Sequence, residues 1–320
     1  MKILFGTYPW AFDTPGGGER QLIAYQYHLK SCGINVNLFN QWKPKLKNNL
    51  LFHFFSVMPG SLQLLDHIKK QGIPVVISPN LWVTPATRDQ YPHKDIASLL
   101  PVADVIVVNS NMEADSLSEV YNLPRERFKT VYNGVEEDFT KTVEPEMFRK
   151  KFNINSRFIL NVANIEPRKN QLNFLKALKS FPDITLINIG HIRDNLYANE
   201  CIKESGSQFH HLGPFPYNSP LIRSALAGCD FFAMPSTLET PSIAALEAYA
   251  SGVPLLITKE GSTTEYFGNS AHYIEPCSIS SMKEGIANAL LSNHTNILDT
   301  KFLWKNVILD LANVYKDLIQ

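Results

Sequence analysis

Short apolar runs of β character alternate with amphipathic helical stretches along the whole chain, and they do so in two successive sets. Parallel strands in a sheet, with helices covering both faces, satisfy such a pattern. In the first half the runs are KILFG (2–6), NVNLF (35–39), LLFHFF (50–55), PVVIS (74–78), VIVVN (105–109) and FKTVY (128–132). The clearest helical stretch between them, ERQLIAYQYHLKSCG, spaces Leu22, Tyr25, Leu29 and Cys32 near one helical face and stops at Gly33. A polar stretch near 135–148 follows, and then the pattern restarts with RFILNVA (157–163), ITLINIG (184–190), QFHHLG (208–213), CDFFAMP (229–235), PLLIT (254–258) and AHYIE (271–275).

At 320 residues the chain exceeds the size at which a single core stops growing. The economical expectation is an α/β protein of two Rossmann-like, doubly wound domains facing a cleft, 1–140 and 141–302. A last helix, 303–320, carries Trp304, Val307, Ile308, Leu311, Tyr315 and Leu318 along one stripe, and is expected to cross back to the first domain.

Thirty Lys and Arg balance thirty Asp and Glu, so no whole-chain field recruits nucleic acid. One local exception is NQWKPKLKNN, where Trp42 stands among Lys43, Lys45 and Lys47. It reads as a solvated basic loop or as a peripheral membrane contact. Cys32, Cys201, Cys229 and Cys277 are far apart, without CxxC or metal-ligand spacing, and are expected to be reduced thiols. No run reaches the ~18 apolar residues needed to span a bilayer, and MKILFG enters a strand directly, so a cytoplasmic protein is expected.

The segment LETPSIAALEAYASGVP (238–254) raises the functional question. Nearly every side chain from Pro241 to Ala250 is small or apolar, and an all-round apolar helix belongs in an interior. Yet Glu247 sits inside it and Glu239 just before it. Thr240 is the expected N-cap, with Pro241 at the first helical position. A helix N-terminus at the carboxyl edge of a parallel sheet favours an anion such as phosphate. Two carboxylates beside an anion are better employed accepting hydrogen bonds from hydroxyls, and a nucleotide sugar offers ribose, diphosphate and hexose in one molecule. The plainer reading pairs Glu247 with a buried cation and leaves Glu239 capping a loop.

ETPSIAALEA resembles the E-x7-E motif of retaining glycosyltransferases with the two-domain GT-B fold, most similar to glycosyltransferase family 4. GGGER (16–20), VYNGVEEDF (131–139), NIEPRKNQ (164–171), HLGPFP (211–216) and MPSTLETPSIAALEAYASGVPLL follow in the family's order, so the resemblance covers essentially the whole chain. It implies a sugar transferred from a nucleotide donor to a saccharide or lipid-linked saccharide acceptor, as in cell-surface polysaccharide or glycan biosynthesis.

The resemblance assigns Lys169 to the donor diphosphate, with Arg168 beside it and Glu239 as the third catalytic candidate. Cations aimed at the charge that develops on a leaving diphosphate stabilise the transition state. Glu247, Thr240, Ser242, Ile243 and Asn164 are the donor-binding candidates of the second domain, Thr240, Ser242 and Ile243 through their amides. Gly17 and Gly18 are expected to face donor phosphates and acceptor across the cleft; a plain glycine turn is the alternative. His53, Asn133 and Glu19 are possible cleft residues, although a satisfied core histidine is the readier reading of His53 and an exposed first-turn acid describes Glu19 equally well. His191, His210 and His211 read as structural.

Two departures stand out. Many relatives carry Gly-Arg a few residues before the lysine, whereas this chain has Ala163 and Asn164, leaving Arg168 to supply a second phosphate cation. The histidine that often follows the next first-domain strand is replaced in VISPNLW by Ser78 and Asn80. No D-x-D occurs, so no metal and no cofactor is expected. Two rivals remain: a nucleotide-sugar-binding or partner subunit whose catalysis has decayed, and an NAD-dependent sugar-nucleotide epimerase. The second lacks both G-x-G-x-x-G and a plausible Y-x-x-x-K pair.

Overall fold

The computed structural model describes residues 1–13, 15–216, 218–292 and 296–319. Two compact units emerge: residues 1–133 with 301–320, and residues 134–300. In the first, strands β1 (Lys2–Gly6), β2 (Asn35–Leu38), β3 (Leu51–Phe54), β4 (Val75–Ile77), β5 (Val105–Val108) and β6 (Phe128–Thr130) form one sheet, ordered β2-β1-β3-β4-β5-β6. All its pairings are parallel. In the second, β7 (Arg157–Val162), β8 (Ile184–Ile189), β9 (Phe209–His211), β10 (Phe231–Met234), β11 (Leu255–Thr258) and β12 (Ala271–Ile274) form a second parallel sheet, ordered β12-β11-β10-β7-β8-β9. Every strand expected from the sequence is present, β1 with its expected bounds and the others trimmed by a residue or two at an end.

The apolar runs become strands because both faces of each sheet are covered, so neither side chain parity needs to be polar. In the first unit Ile3, Phe5, Val76 and Val107 belong to one buried cluster, while Leu4, Val75, Ile77, Ile106 and Val108 belong to another. That is the period-two alternation of a strand buried on both sides. Helix 17–28 and the terminal helix 304–319 together cover the first of these faces, where Trp304, Val307, Ile308, Leu311 and Tyr315 are all buried. Residues 301–320 therefore complete the core that residues 1–133 begin.

His53 is part of that core, on β3, and lines no opening. Its ring is fully buried, with Nδ1 2.6 Å from the Tyr315 hydroxyl and Nε2 2.8 Å from the Ser78 hydroxyl. Alternation on β3 decides this: the side chain between Phe52 and Phe54 points at the face that the terminal helix covers. Both ring nitrogens are occupied, and burial pushes the imidazole well below its ordinary pKa of 6.5.

A histidine whose folded pKa is depressed binds fewer protons folded than unfolded, so its contribution to stability is lost as pH falls below ~6.5, at up to about 1.4 kcal/mol per pH unit. All four tryptophans, at positions 10, 42, 82 and 304, lie in the first unit, so their fluorescence reports its unfolding. Urea titrations at pH 7.5, 6.5 and 5.5 (about one-unit steps either side of the free value) are expected to show a falling midpoint in the wild type. His53→Gln is expected to lower the midpoint at neutral pH and to flatten that acid dependence; an undiminished slope would remove His53 as its source.

Candidate functional site

The second sheet reverses its order between β7 and β10, because β8 and β9 extend to one side of β7 while β10, β11 and β12 extend to the other. Ligands of open α/β sheets bind at such a switch point, outside the carboxyl ends of the strands. The loops that leave these two strands carry Arg168, Lys169 and Glu239.

The loop after β7 is tied down residue by residue. Ala163 donates its amide to Ile189 and Ile165 to His191, continuing the β8 pairing past the strand. The Asn164 side-chain oxygen accepts from the His191 amide at 3.0 Å, and its carbonyl accepts from Gln171 Nε2 at 2.9 Å. Pro167–Lys169 then make one tight turn, ended by Asn170 in the left-handed region (φ 59°), which asparagine tolerates better than most residues. The buried Asn170 side chain donates to the carbonyls of Pro235, at 3.0 Å, and Pro276, at 2.8 Å. One amide group thus joins the chain beyond β7 to the chain beyond β10 and β12.

The loop after β10 is clamped from the other side. Glu239 donates its amide to Glu260, accepts from the Ser262 amide, and forms a parallel bridge with Gly261. Gly261 has φ 99°, and a Cβ there would lie 1.9 Å from the Glu239 carbonyl oxygen. Only glycine allows this approach. The extended bridge also delays the following helix. It runs Ile243–Ala250, with Ser242 as N-cap accepting from the Ala245 amide, so the expected start at Thr240 and Pro241 is corrected by two residues. All eight residues of this helix are buried, Glu247 among them.

These two clamps bring Lys169 and Glu239 together. Lys169 Nζ lies 2.6 Å from Glu239 Oε1, with side-chain exposures of 12% and 6%. Arg168 is more open, at 48%; its Nη1 is 3.8 Å from Glu239 Oε1 and donates to the Leu238 carbonyl at 3.2 Å, and its Nη2 is 3.3 Å from Glu166. Burial holds the Lys169 ammonium below its usual pKa, although Glu239 opposes the shift. Burial alone would raise the Glu239 carboxyl, but Lys169 and Arg168 outweigh it and keep the group below its usual value. Each group thus offsets part of the burial cost of the other. A lysine carries three donors, and the ion pair uses one.

The other sequence candidates have identifiable places. Asn164 uses its side-chain oxygen on the loop it belongs to. In the first unit Gly17 and Gly18 open helix 17–28; a Cβ on Gly17 would meet no atom within 4 Å, and one on Gly18 would lie 3.3 Å from Asn80 Nδ2. Glu19 is a cap: its Oε2 accepts from the Gly16 amide at 2.7 Å and its Oε1 from the Tyr8 hydroxyl at 2.8 Å. The buried Asn133 accepts from Gln21 Nε2 at 2.8 Å, which also reaches Asn109 Oδ1. His211 is held by Asn188 at 2.8 Å. Sequence reasoning missed Asn170 and Gly261. The signal for Asn170 was its place directly after a Pro-initiated turn; for Gly261, a glycine just past a strand end.

Two Rossmann-like units, the second with a buried cation–carboxylate pair at its switch point beside a helix N-terminus, define the class of protein. Two family models match the chain in succession, Glycosyltransferase Family 4 over residues 15–139 and Glycosyl transferases group 1 over residues 143–300. The chain belongs to this group 1, family 4-like family of glycosyltransferases, and its fold is GT-B. Sucrose-phosphate synthase from Thermosynechococcus elongatus superposes with a TM-score of 0.81 at 13% identity, covering 99% of each chain. Anabaena HepE, in a structure with UDP and glucose, superposes at 0.73 and 18% identity over 99% of this chain and 95% of that one. A curated relative, the processive diacylglycerol alpha-glucosyltransferase of Acholeplasma laidlawii, is 23% identical over 52% of this chain and 51% of its own length. The chain spans about half to two thirds of the length of such relatives.

Removing one partner from a buried ion pair leaves an uncompensated charge and costs about 3–5 kcal/mol, whereas removing both costs far less. Calorimetric unfolding of Lys169→Met, Glu239→Gln and the double variant is expected to give a double-mutant coupling of at least ~1 kcal/mol. Additive single effects would show that the pair contributes no coupling. Gly261→Ala is expected to cost about 2 kcal/mol or more through backbone strain, with the loss appearing in the second unit's transition.

Proposed function

We propose that this protein transfers a sugar, with retention of anomeric configuration, from a nucleotide diphosphate sugar to a saccharide or lipid-linked saccharide acceptor, without a metal. The observation that carries this reading is the Lys169–Glu239 pair, 2.6 Å apart, at the switch point where the buried helix 243–250 begins. The anionic diphosphate suits Lys169 and the amides at the start of that helix, where Ile243 and Ala244 have no acceptor within the helix; Pro241 has no amide hydrogen to offer. Charge grows on the diphosphate as the glycosidic bond breaks, and Lys169, already positioned against Glu239, stabilises it without reorganising. Arg168, on the same turn and more exposed, is the second cation. Glu239 and Glu247 serve hydroxyls of the donor. The acceptor hydroxyl attacks the face that the diphosphate leaves, and no enzyme nucleophile is needed.

The family membership supports sugar transfer, and the HepE structure with UDP and glucose supports a nucleotide-linked donor. The Acholeplasma relative's diacylglycerol substrate supports an acceptor with lipid character, in keeping with cell-surface glycan synthesis. Absence of D-x-D supports metal independence. All four cysteines are free thiols, which supports a cytoplasmic setting. Among the described residues, no helix is long and apolar enough to cross a membrane.

Thermal-shift and calorimetric titrations with UDP, GDP, ADP and their sugars, each with and without chelator, test the donor half. One nucleotide is expected to bind selectively and to stabilise the protein by about 2.7 kcal/mol at a hundredfold excess over Kd. Lys169→Ala is expected to weaken it about 10- to 100-fold, the size of a charged hydrogen bond, and Glu247→Ala to weaken it less. Binding without turnover or donor hydrolysis would favour the rival reading, a partner subunit with a decayed site. Binding of none of them would overturn both.

A further inference from the structure

One face of the first unit gathers exposed apolar and basic side chains around a groove. The chains leaving β1, β2 and β3 enclose an open groove of about 880 Å3, within the size range of small-molecule sites. Its rim gathers Trp10, Phe12, Leu38, Trp42 and Met58, all exposed, Trp42 at 84% and Trp10 at 60%. Exposed apolar side chains scattered singly mean little, but five around one groove mark a binding surface. None of the described residues lining the groove is acidic.

The loop 42–47 alternates strictly. Trp42, Pro44 and Leu46 line the groove, while the intervening Lys43, Lys45 and Lys47 are exposed. None of the three lysines has an ion-pair partner among the described residues. The loop holds this presentation itself: Asn40 Oδ1 accepts from the Trp42 and Lys43 amides at 2.9 and 3.2 Å, and Asn49 Nδ2 donates to the Lys45 carbonyl at 2.7 Å. Residues 1–60 contain six Lys and Arg against two Asp and Glu, in a chain that is neutral overall. Of those two acids, Glu19 is already engaged by Gly16 and Tyr8.

We propose that this face docks on an anionic lipid bilayer, with Lys43, Lys45 and Lys47 against the headgroups, Trp10 and Trp42 in the interfacial layer, and one lipid hydrocarbon chain lying in the groove. A lipid supplies both halves of what the surface offers. Its anionic headgroup complements lysines that the protein leaves uncompensated, and its chain complements an apolar groove directly beneath them. Tryptophan favours that boundary because its ring is apolar and its N–H wet. A soluble polyanion would satisfy the lysines and leave the groove in water. The proposal stands apart from the sugar-transfer reading, and its test reads binding, not turnover.

The test is flotation of the full chain with phosphatidylcholine vesicles, pure or carrying about one third phosphatidylglycerol, at low and raised salt. Wild type is expected to float with the anionic vesicles only, and to be released by salt. The triple variant Lys43→Gln/Lys45→Gln/Lys47→Gln is expected to lose about 100-fold in partitioning, as three membrane-facing lysines predict. Lipids brominated on the acyl chain are expected to quench tryptophan fluorescence in the wild type, and less in Trp42→Phe. Circular dichroism and melting of the variants should match wild type, since the substituted side chains are exposed. Failure of the wild type to float, or flotation of the triple variant equal to wild type, would overturn the proposal. Binding without acyl-chain quenching would overturn the assignment of the groove to a hydrocarbon chain.

Discussion

The second unit is organised around a buried ion pair. Bringing an ammonium and a carboxylate out of water costs several kcal/mol per ion, which is recovered only when the geometry is held closely. The holding is visible in the chain. Asn170, at φ 59°, fixes the turn that carries Lys169 by bonding the strand ends on either side. Gly261 admits the backbone of Glu239 to a distance that no other residue would permit. Neither residue touches the pair's charged atoms, yet each determines where they sit. An anion that approaches Lys169 thus finds its partner already in place.

The first unit depends on a different closure. Its sheet has one face covered by helix 17–28 and by a helix made from the last residues of the chain, with Tyr315 bonded to His53. Closing a segment of this length costs little more than closing one half as long, because loop entropy grows only with the logarithm of length. The return therefore needs no unusual interaction to sustain it, only the apolar stripe of Trp304, Val307, Ile308 and Leu311. A consequence for the whole chain is that it passes between units twice, once after residue 133 and once after residue 300.

These two closures show what a sequence reveals and what it conceals. All twelve strands were legible, because short β-type runs bounded by helical patterns have few other uses in a chain this long. Glu239, Lys169 and Arg168 were legible as a site only through motif resemblance; their pairing at 2.6 Å could not be read from positions seventy residues apart. The start of helix 243–250 was misplaced because Thr240-Pro241 is a good local signal, and the bridge to Gly261 that overrode it is tertiary. His53 and Glu19 show the same limit: the partners that turn them into core and cap are Tyr315, Ser78 and Tyr8, and no spacing rule announces them.

The departure from the family's Gly-Arg pattern gains a physical reading from these bonds. Where relatives carry that pair, Ala163 and Asn164 are absorbed into the scaffold: Asn164 bonds His191 and Gln171, and Ala163 lies so near Gly190 that a Cβ on the glycine would fall 2.2 Å from its carbonyl oxygen. Arg168 is differently placed. Its contacts to Glu166 and Leu238 are made by a side chain that is 48% exposed, and interactions of that kind contribute about 0–1 kcal/mol. Re-aiming Arg168 therefore costs little, whereas re-aiming Lys169 would break a buried pair. On the proposed reading the two adjacent cations divide the work: Lys169 is fixed before the donor arrives, and Arg168 follows the charge of the diphosphate as it leaves.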